Sequence, residues 1–204
     1  MTTPAIDIER LSPADVKTSI AVAARAFWDD PMFNYFTPDL LAQHRNVGFF
    51  TATLHDCVAH GEVWVAKLGP TLAGVAGWLP PGVFPATGGT RALRQGLRVA
   101  PGVMRGRERR TAFKLLNEMT ERHPHEEHWY LAALCTDPSY QGRGVGTALL
   151  EPMLARADEV GVATYLETQK ESNVAYYRRF GFEVVDKFSV NSSPPLWLMQ
   201  REPR

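Results

Sequence analysis

The stretch S-Y-Q-G-R-G-V-G-T-A-L-L-E-P, residues 139–152, places Gln141, Gly142, Arg143, Gly144, Val145 and Gly146 in a row and then turns apolar. Glycines lack the side-chain bulk that keeps a backbone away from a ligand. The first turn of a helix also carries amide N–H groups with no partner inside the helix, so a glycine loop opening a helix reads as an anion site. Arg143 adds positive charge at the same place. Two familiar phosphate loops are excluded by spacing. No lysine follows the glycines as a P-loop requires, and the sixth position counted from Gly142 is Thr147, not the third glycine of a dinucleotide fingerprint. The loop comes after an apolar, β-rich run, Trp129 to Thr136, that ends in Asp137-Pro138.

A second constellation lies downstream, N-V-A-Y-Y-R-R-F-G-F, residues 173–182. Together the two segments resemble the GNAT superfamily of N-acetyltransferases. Q-G-R-G-V-G fits that family's Q/R-x-x-G-x-G/A motif, and Asn173, Tyr177, Gly181 and Phe182 fit its N-x-x-x-Y-x-x-x-G-F element. L-A-A-L-C-T-D-P-S-Y is similar to the family's central strand, with Thr136 in place of a more usual valine. Within the superfamily the chain resembles the puromycin N-acetyltransferase-like group in A-F-W-D-D-P, H-W-Y-L-A-A-L, Y-L-E-T and P-L-W-L-M. The likeness is weakest between Gly82 and Arg122, where substrate identity is expected to be decided.

The resemblance implies an α/β protein of the GNAT acyl-CoA N-acyltransferase fold: a mixed central sheet, splayed between two parallel strands and flanked by helices. It implies acetyl-CoA as co-substrate. The pyrophosphate would rest on amides from Gly142 to Thr147 (Gly142, Arg143, Gly144, Val145, Gly146, Thr147), with Gln141 and Asn173 alongside. The pantetheine would run beside Leu134, Cys135 and Thr136. Direct transfer to a primary amine of a small molecule needs a proton for the departing thiolate, and Tyr177 is the family's acid. An unperturbed phenol, with a pKa of about 10, is protonated at neutral pH. The amine must lose a proton, for which Glu167 is the candidate base, with Asp30 and Tyr35 behind it. Trp28, Asp30, Phe33 and Tyr35 lie close together around Asp29-Asp30-Pro31, an acidic, aromatic segment suited to a cationic amine.

Other reactive residues have plainer explanations. His123, His125 and His128 in H-P-H-E-E-H read as a solvated turn, and no metal site is expected. Cys135 reads as an inert strand thiol. The run 91–110 carries seven arginines and one acid, Glu108, and reads as a solvated amphipathic face. Formal net charge is zero, which argues against nucleic acid as partner. Three rivals remain: a coenzyme-A-binding sensor without turnover, an enzyme acting on a protein amine, and a nucleic-acid-associated protein using the arginines.

The elements that must position these residues emerge from pattern. The chain has 204 residues, 45% hydrophobic and 22% charged, the mixture of a single globular domain, 1–204. No leader or membrane span is expected and two cysteines suit a reducing compartment, so a cytoplasmic protein is expected; a homodimer is left open. Ile6 and Ile8 alternate as a strand. Ser12-Pro13-Ala14-Asp15 opens a helix to about Phe27, which Asp29-Asp30-Pro31 breaks. A helix is expected over 40–59, then a hairpin around Gly69-Pro70. Basic helices, interrupted at Pro101-Gly102, are expected over 90–122. After the strand at 129–136 come a helix over 142–160 containing Pro152, a strand over 163–168, a short helix over 172–179, and strands over 182–190 and 196–200.

Overall fold

Apolar alternation at Ile6 and Ile8 forms strand β1 (Ile6–Arg10), and the helix after it, α1 (Val16–Ala26), is entered through a 3-10 turn, Pro13–Asp15. Ser12 holds the extended conformation of a capping residue, but its Oγ donates to Asp15 Oδ2 (2.7 Å) and caps no backbone amide. The computed structural model describes residues 5–36, 42–84 and 107–204, with side chains from 46 and 110 onward in the last two stretches.

The acid-proline pair that ends α1 also starts a helix that the pattern does not suggest, α2 (Pro31–Phe36). Asp30 Oδ1 accepts from the amides of Met32 and Phe33, both at 3.0 Å, and Pro31 takes the first helical position, where its missing N–H costs nothing. Next come α3 (Ala42–His60), the hairpin β2 (Glu62–Leu68) and β3 (Thr71–Leu79), and α4 (Arg107–Arg122). Leu40 and the expected basic stretch before residue 107, with Pro101-Gly102, lie outside the described residues. The chain continues with β4 (His128–Thr136), α5 (Val145–Glu159), β5 (Ala163–Thr168), α6 (Glu171–Arg178), β6 (Glu183–Phe188) and β7 (Leu196–Arg201). Helix α5 begins three residues later than its pattern suggests, because Gly142 (φ 73°) and Gly144 (φ 84°) adopt left-handed conformations that a helix excludes. Pro152 lies inside α5 as expected.

The seven strands form one sheet in the order β1-β2-β3-β4-β5-β7-β6. Only β4 and β5 are parallel, and they pair at three positions: His128 with Ala163, Trp129 with Thr164, and Tyr130 with Tyr165. Beyond Tyr130, β4 pairs with β3, and beyond Tyr165, β5 pairs with β7. The expected splay is therefore present, a slot whose facing backbone edges are unpaired.

Ala132 bulges out of the β3–β4 ladder, where pairing steps from Gly77–Ala133 to Trp78–Leu131. The bulge reassigns faces along β4. His128, Tyr130, Ala133 and Cys135 share the side of α1 and α3, while Leu134 and Thr136 turn toward α5. Each face has its own core: Val22, Phe50, Leu54, Val75 and Tyr165 on the first, and Trp78, Leu149, Leu150, Met153, Leu166 and Phe182 on the second. No described helix is long and apolar enough to cross a membrane.

Candidate active site

The loop between β4 and α5 is held from both ends. Asp137 caps the 3-10 turn Pro138–Tyr140 by accepting from Ser139 N (3.0 Å), and its other oxygen takes two hydrogen bonds from Arg25 of α1 (2.8 and 2.6 Å). Burial pushes the Asp137 carboxyl up, but Arg25 and the Ser139 amide outweigh it and hold it below the usual carboxylate range. Gln141 Nε2 donates back to the Thr136 carbonyl (3.3 Å). Gly144 is the residue before α5, and its carbonyl accepts the first helical bond, from Ala148 N (3.0 Å). No side chain caps this helix, so the amides of Val145, Gly146 and Thr147 face the cleft without an intrahelical partner.

Gly146 is also a contact point. A Cβ there would stand 2.6 Å from Tyr176 Oη and 3.7 Å from Thr136 Oγ1. The Tyr176 hydroxyl is buried and has no hydrogen-bond partner among the described residues. The Arg179 guanidinium lies over its ring, 4.8 Å from the centroid. Asn173 Nδ2 donates to Thr168 Oγ1 (3.0 Å) and so fixes the start of α6 to the end of β5.

These parts enclose a cleft of about 500 Å³, within the range of small-molecule sites. Of the residues expected at the site, Asp30, Leu134, Thr136, Gln141, Gly142, Gly144, Val145, Gly146, Thr147, Asn173 and Tyr177 line it. Tyr177 is buried with its ring edge-on to Phe182, and burial pushes its phenol far above the usual value. Burial likewise raises the Asp30 carboxyl, against the opposing pull of the α2 amides and Lys170.

Other expected residues lie elsewhere. Cys135 faces the opposite side of the sheet, where burial raises its thiol, and no disulfide joins it to Cys57. The Arg143 guanidinium sits 5.4 Å from the Tyr140 ring centroid, outside the cleft. Trp28 is 53% exposed, Phe33 packs among Phe27, Phe49 and Phe50, and Tyr35 Oη stands 3.4 Å from Ser192 Oγ. Glu167 lies under the sheet, on the face opposite Tyr177, with its side chain 4% exposed. Burial lifts its carboxyl to about 7, against the opposing effect of the neighbouring Tyr130 and Tyr165 hydroxyls.

Among the lining residues that sequence patterning misses are Tyr140, Lys170, Tyr176 and Arg179. Tyr176 adjoins the motif tyrosine and carries no spacing signal of its own, while Lys170 and Arg179 flank α6 like ordinary surface cations. The histidine-rich turn requires a correction. His123 and His128 are buried and joined Nε2 to Nε2 at 2.9 Å, and only His125 is exposed. Among the described residues no three His, Cys, Asp or Glu side chains are grouped to hold a metal.

Comparison with known proteins agrees with this geometry. A histone acetyltransferase HPA2 and related acetyltransferase from Corynebacterium glutamicum superposes with a TM-score of 0.73 at 24% identity, over 100% of this chain and 98% of that one. Arylalkylamine N-acetyltransferase 2 from Aedes aegypti gives a TM-score of 0.64 at 19% identity, over 98% and 99%. The putative acetyltransferase yncA from Salmonella typhimurium, solved with its cofactor acetyl-CoA, gives 0.57 at 15% identity, over 98% and 95%. These likenesses establish the fold. Curated relatives match over short segments: 34% identity over 64 residues of a probable serine/threonine-protein kinase from Dictyostelium discoideum, and 35% over 72 residues of an uncharacterized protein from Mycobacterium leprae (strain TN). Those matches span 9% and 20% of the relatives' lengths. The model of the Acetyltransferase (GNAT) family matches residues 22–182, most of the chain. A splayed β4–β5 pair, a glycine loop opening α5 and a buried tyrosine beside it thus have a common explanation: the chain belongs to the GNAT family of acetyltransferases.

Proposed function

We propose that the chain transfers an acetyl group from acetyl-CoA directly to a primary amine of a small molecule, in the cytoplasm, as one domain. The observation that carries this reading is the single cleft shared by the uncapped α5 N-terminus, Tyr177 and Asp30. Three features of the cleft suit acetyl-CoA. Gly142 and Gly144 turn the backbone around an anion, Gly146 leaves room that a Cβ would take, and Tyr176 Oη is a buried donor without a partner among the described residues. Amides from Gly142 to Thr147 would hold the pyrophosphate, with Lys170 and Arg179 adding positive charge.

When bound, acetyl-CoA supplies an acetyl group activated as a thioester. Leu134 and Thr136 line the way to the splay, whose unpaired backbone edges can take hydrogen bonds from an extended ligand. Tyr177 keeps its proton throughout the physiological range, because burial penalises the phenolate, and so serves as the proton donor at the sulfur. Glu167 does not line the cleft; lifted to about 7 by burial and on the same side of the sheet as Asp30, it would take a proton only from an amine entering the β4–β5 slot from that side. Asp30 has one oxygen committed to capping α2, and its second is available to an ammonium in the cleft.

The test is thiol release from acetyl-CoA with puromycin, spermidine, kanamycin and an N-terminally free peptide as acceptors. Turnover with one of the first three supports the reading. Turnover with the peptide alone assigns a protein amine instead, and acetyl-CoA binding without turnover on any amine assigns a sensor.

A further inference from the structure

Beneath the slot, on the α1 and α3 face of the sheet, a row of polar side chains is walled in by aromatic rings. Phe84 stacks on Tyr130 (4.4 Å between centroids) and packs edge-on against His123 (4.9 Å), while Tyr165 closes the other side of His123 at 4.9 Å. The hydrogen bonds in this row fix where its protons sit. His128 Nδ1 is 2.7 Å from the Glu126 carbonyl oxygen, which can only accept, so Nδ1 carries the hydrogen. In a neutral ring His128 Nε2 is then a lone pair. It stands 2.9 Å from His123 Nε2, which must therefore donate. His123 Nδ1 is left bare, and it faces Glu167 Oε1 at 4.0 Å. Neither of these two atoms has a hydrogen-bond partner among the described residues.

Burial keeps both imidazoles neutral. His123 is lowered to about 4, by desolvation first and by His128 and His125 after it, and His128 is lowered by burial despite Glu126. A bare nitrogen facing an ionised carboxylate is two acceptors with nothing between them. The same pair with a proton on Glu167 is a donor aimed at an acceptor. A shift of about 1 Å, or one bridging water, brings it to bonding distance.

Resting on Glu167 as the base, we propose that His123 is its positioning partner: the amine N–H bond breaks, an O–H bond forms on Glu167, and His123 Nδ1 accepts the hydrogen bond from that new hydrogen, with His128 holding His123 in the required tautomer. The remaining titratable groups around the pair are Tyr130 from β4, Tyr165 from β5, Asp186 from β6 and Cys57 from α3, together with His125 and Glu126 in the turn. The two tyrosines are held protonated by burial. The titration that remains near neutral pH belongs to the Glu167–His123 pair as a unit.

The test needs no acceptor. In the intact, ligand-free chain, nitrogen-15 NMR should find the hydrogen of His128 on Nδ1 and that of His123 on Nε2. The His123 Nδ1 signal should move with a midpoint near 7 in the wild type and stay flat in Glu167→Gln. A hydrogen on His123 Nδ1, or a flat signal in the wild type, overturns the proposal. With the amine turned over fastest in the acceptor panel, His123→Leu should lower kcat/KM by about 10- to 100-fold and displace the acid limb of its pH profile, with acetyl-CoA affinity by calorimetry unchanged. If His123→Leu fails to fold, His128→Asn, which keeps an N–H for the Glu126 carbonyl, should show the same loss. Unchanged kcat/KM overturns the catalytic part. Failure to bind acetyl-CoA counts against the donor reading alone, because the NMR result stands without it.

Discussion

Replacing Glu167 by glutamine should stabilise the fold at alkaline pH while lowering activity. The carboxyl is fully buried, and burial raises it from the ordinary 4.5 to about 7. The folded state therefore binds this proton more tightly than the unfolded chain does. Stability from that difference is fully present below pH 4.5 and is lost as pH rises through 7. A tenfold change in proton affinity corresponds to about 1.4 kcal/mol, so the loss by pH 8 is about 3 kcal/mol. Glutamine has nearly the same shape and no charge to bury, and so avoids this loss. His123 titrates in the opposite sense, since its lowered value removes stability as pH falls below 6.5, but it is present in both proteins. The difference between the two proteins reports mainly on Glu167. Urea unfolding at about pH 5 and about pH 8 should show Glu167→Gln gaining about 3 kcal/mol on the wild type between the two conditions. By melting temperature this is about 6–12 °C for a chain of this size. A difference independent of pH would mean that Glu167 titrates alike in the folded and unfolded chains, and the stabilisation inferred from its burial would be wrong.

Tyr177→Phe should lower kcat by about 100-fold or more with acetyl-CoA affinity nearly unchanged, measured by thiol release and calorimetry. Gly146→Ala should weaken acetyl-CoA binding at least tenfold in calorimetry, since its Cβ would press within 2.6 Å of Tyr176 Oη and displace that ring toward the cleft; helix propensity returns about 1 kcal/mol, so melting should change little. Asp158→Ala should cost about 3–5 kcal/mol in urea unfolding, because it strands the buried Arg201 guanidinium, which now makes two bonds to Asp158 (2.7 and 2.6 Å) and one to the Phe180 carbonyl (2.9 Å).

The second half of the chain is the more legible in sequence, and the reasons are local. Strand β5 and the glycine loop announce themselves by β-rich apolar residues and by glycines at fixed offsets, signals that belong to single segments. The start of α5 is misplaced by pattern because glycine spacing does not say which residues take positive φ. Helix α2 is hidden because Asp29-Asp30-Pro31 reads as a stop. Asp30 also caps the next helix, and only the tertiary course of the chain decides between the two uses. The histidines mislead for a related reason. H-P-H-E-E-H has the composition of a solvated turn, yet Phe84, Tyr130 and Tyr165 converge on two of its three rings from distant parts of the sequence. Alternation within β5 puts Glu167 with Tyr165 and opposite Leu166. That this face lies away from Tyr177 emerges only from the packing of α5 and α6 on the other side.

The proposed chemistry stands or falls on whether the amides opening α5 hold acetyl-CoA. A titration of isotope-labelled protein with acetyl-CoA, read at the backbone amides, asks this without any acceptor or turnover. Saturable shifts should concentrate at Gly142–Thr147 and at Tyr176 and need at least about tenfold more acetyl-CoA to saturate in Gly146→Ala. Amides that stay unmoved through the titration, or saturation of Gly146→Ala at the wild-type concentration, would contradict it.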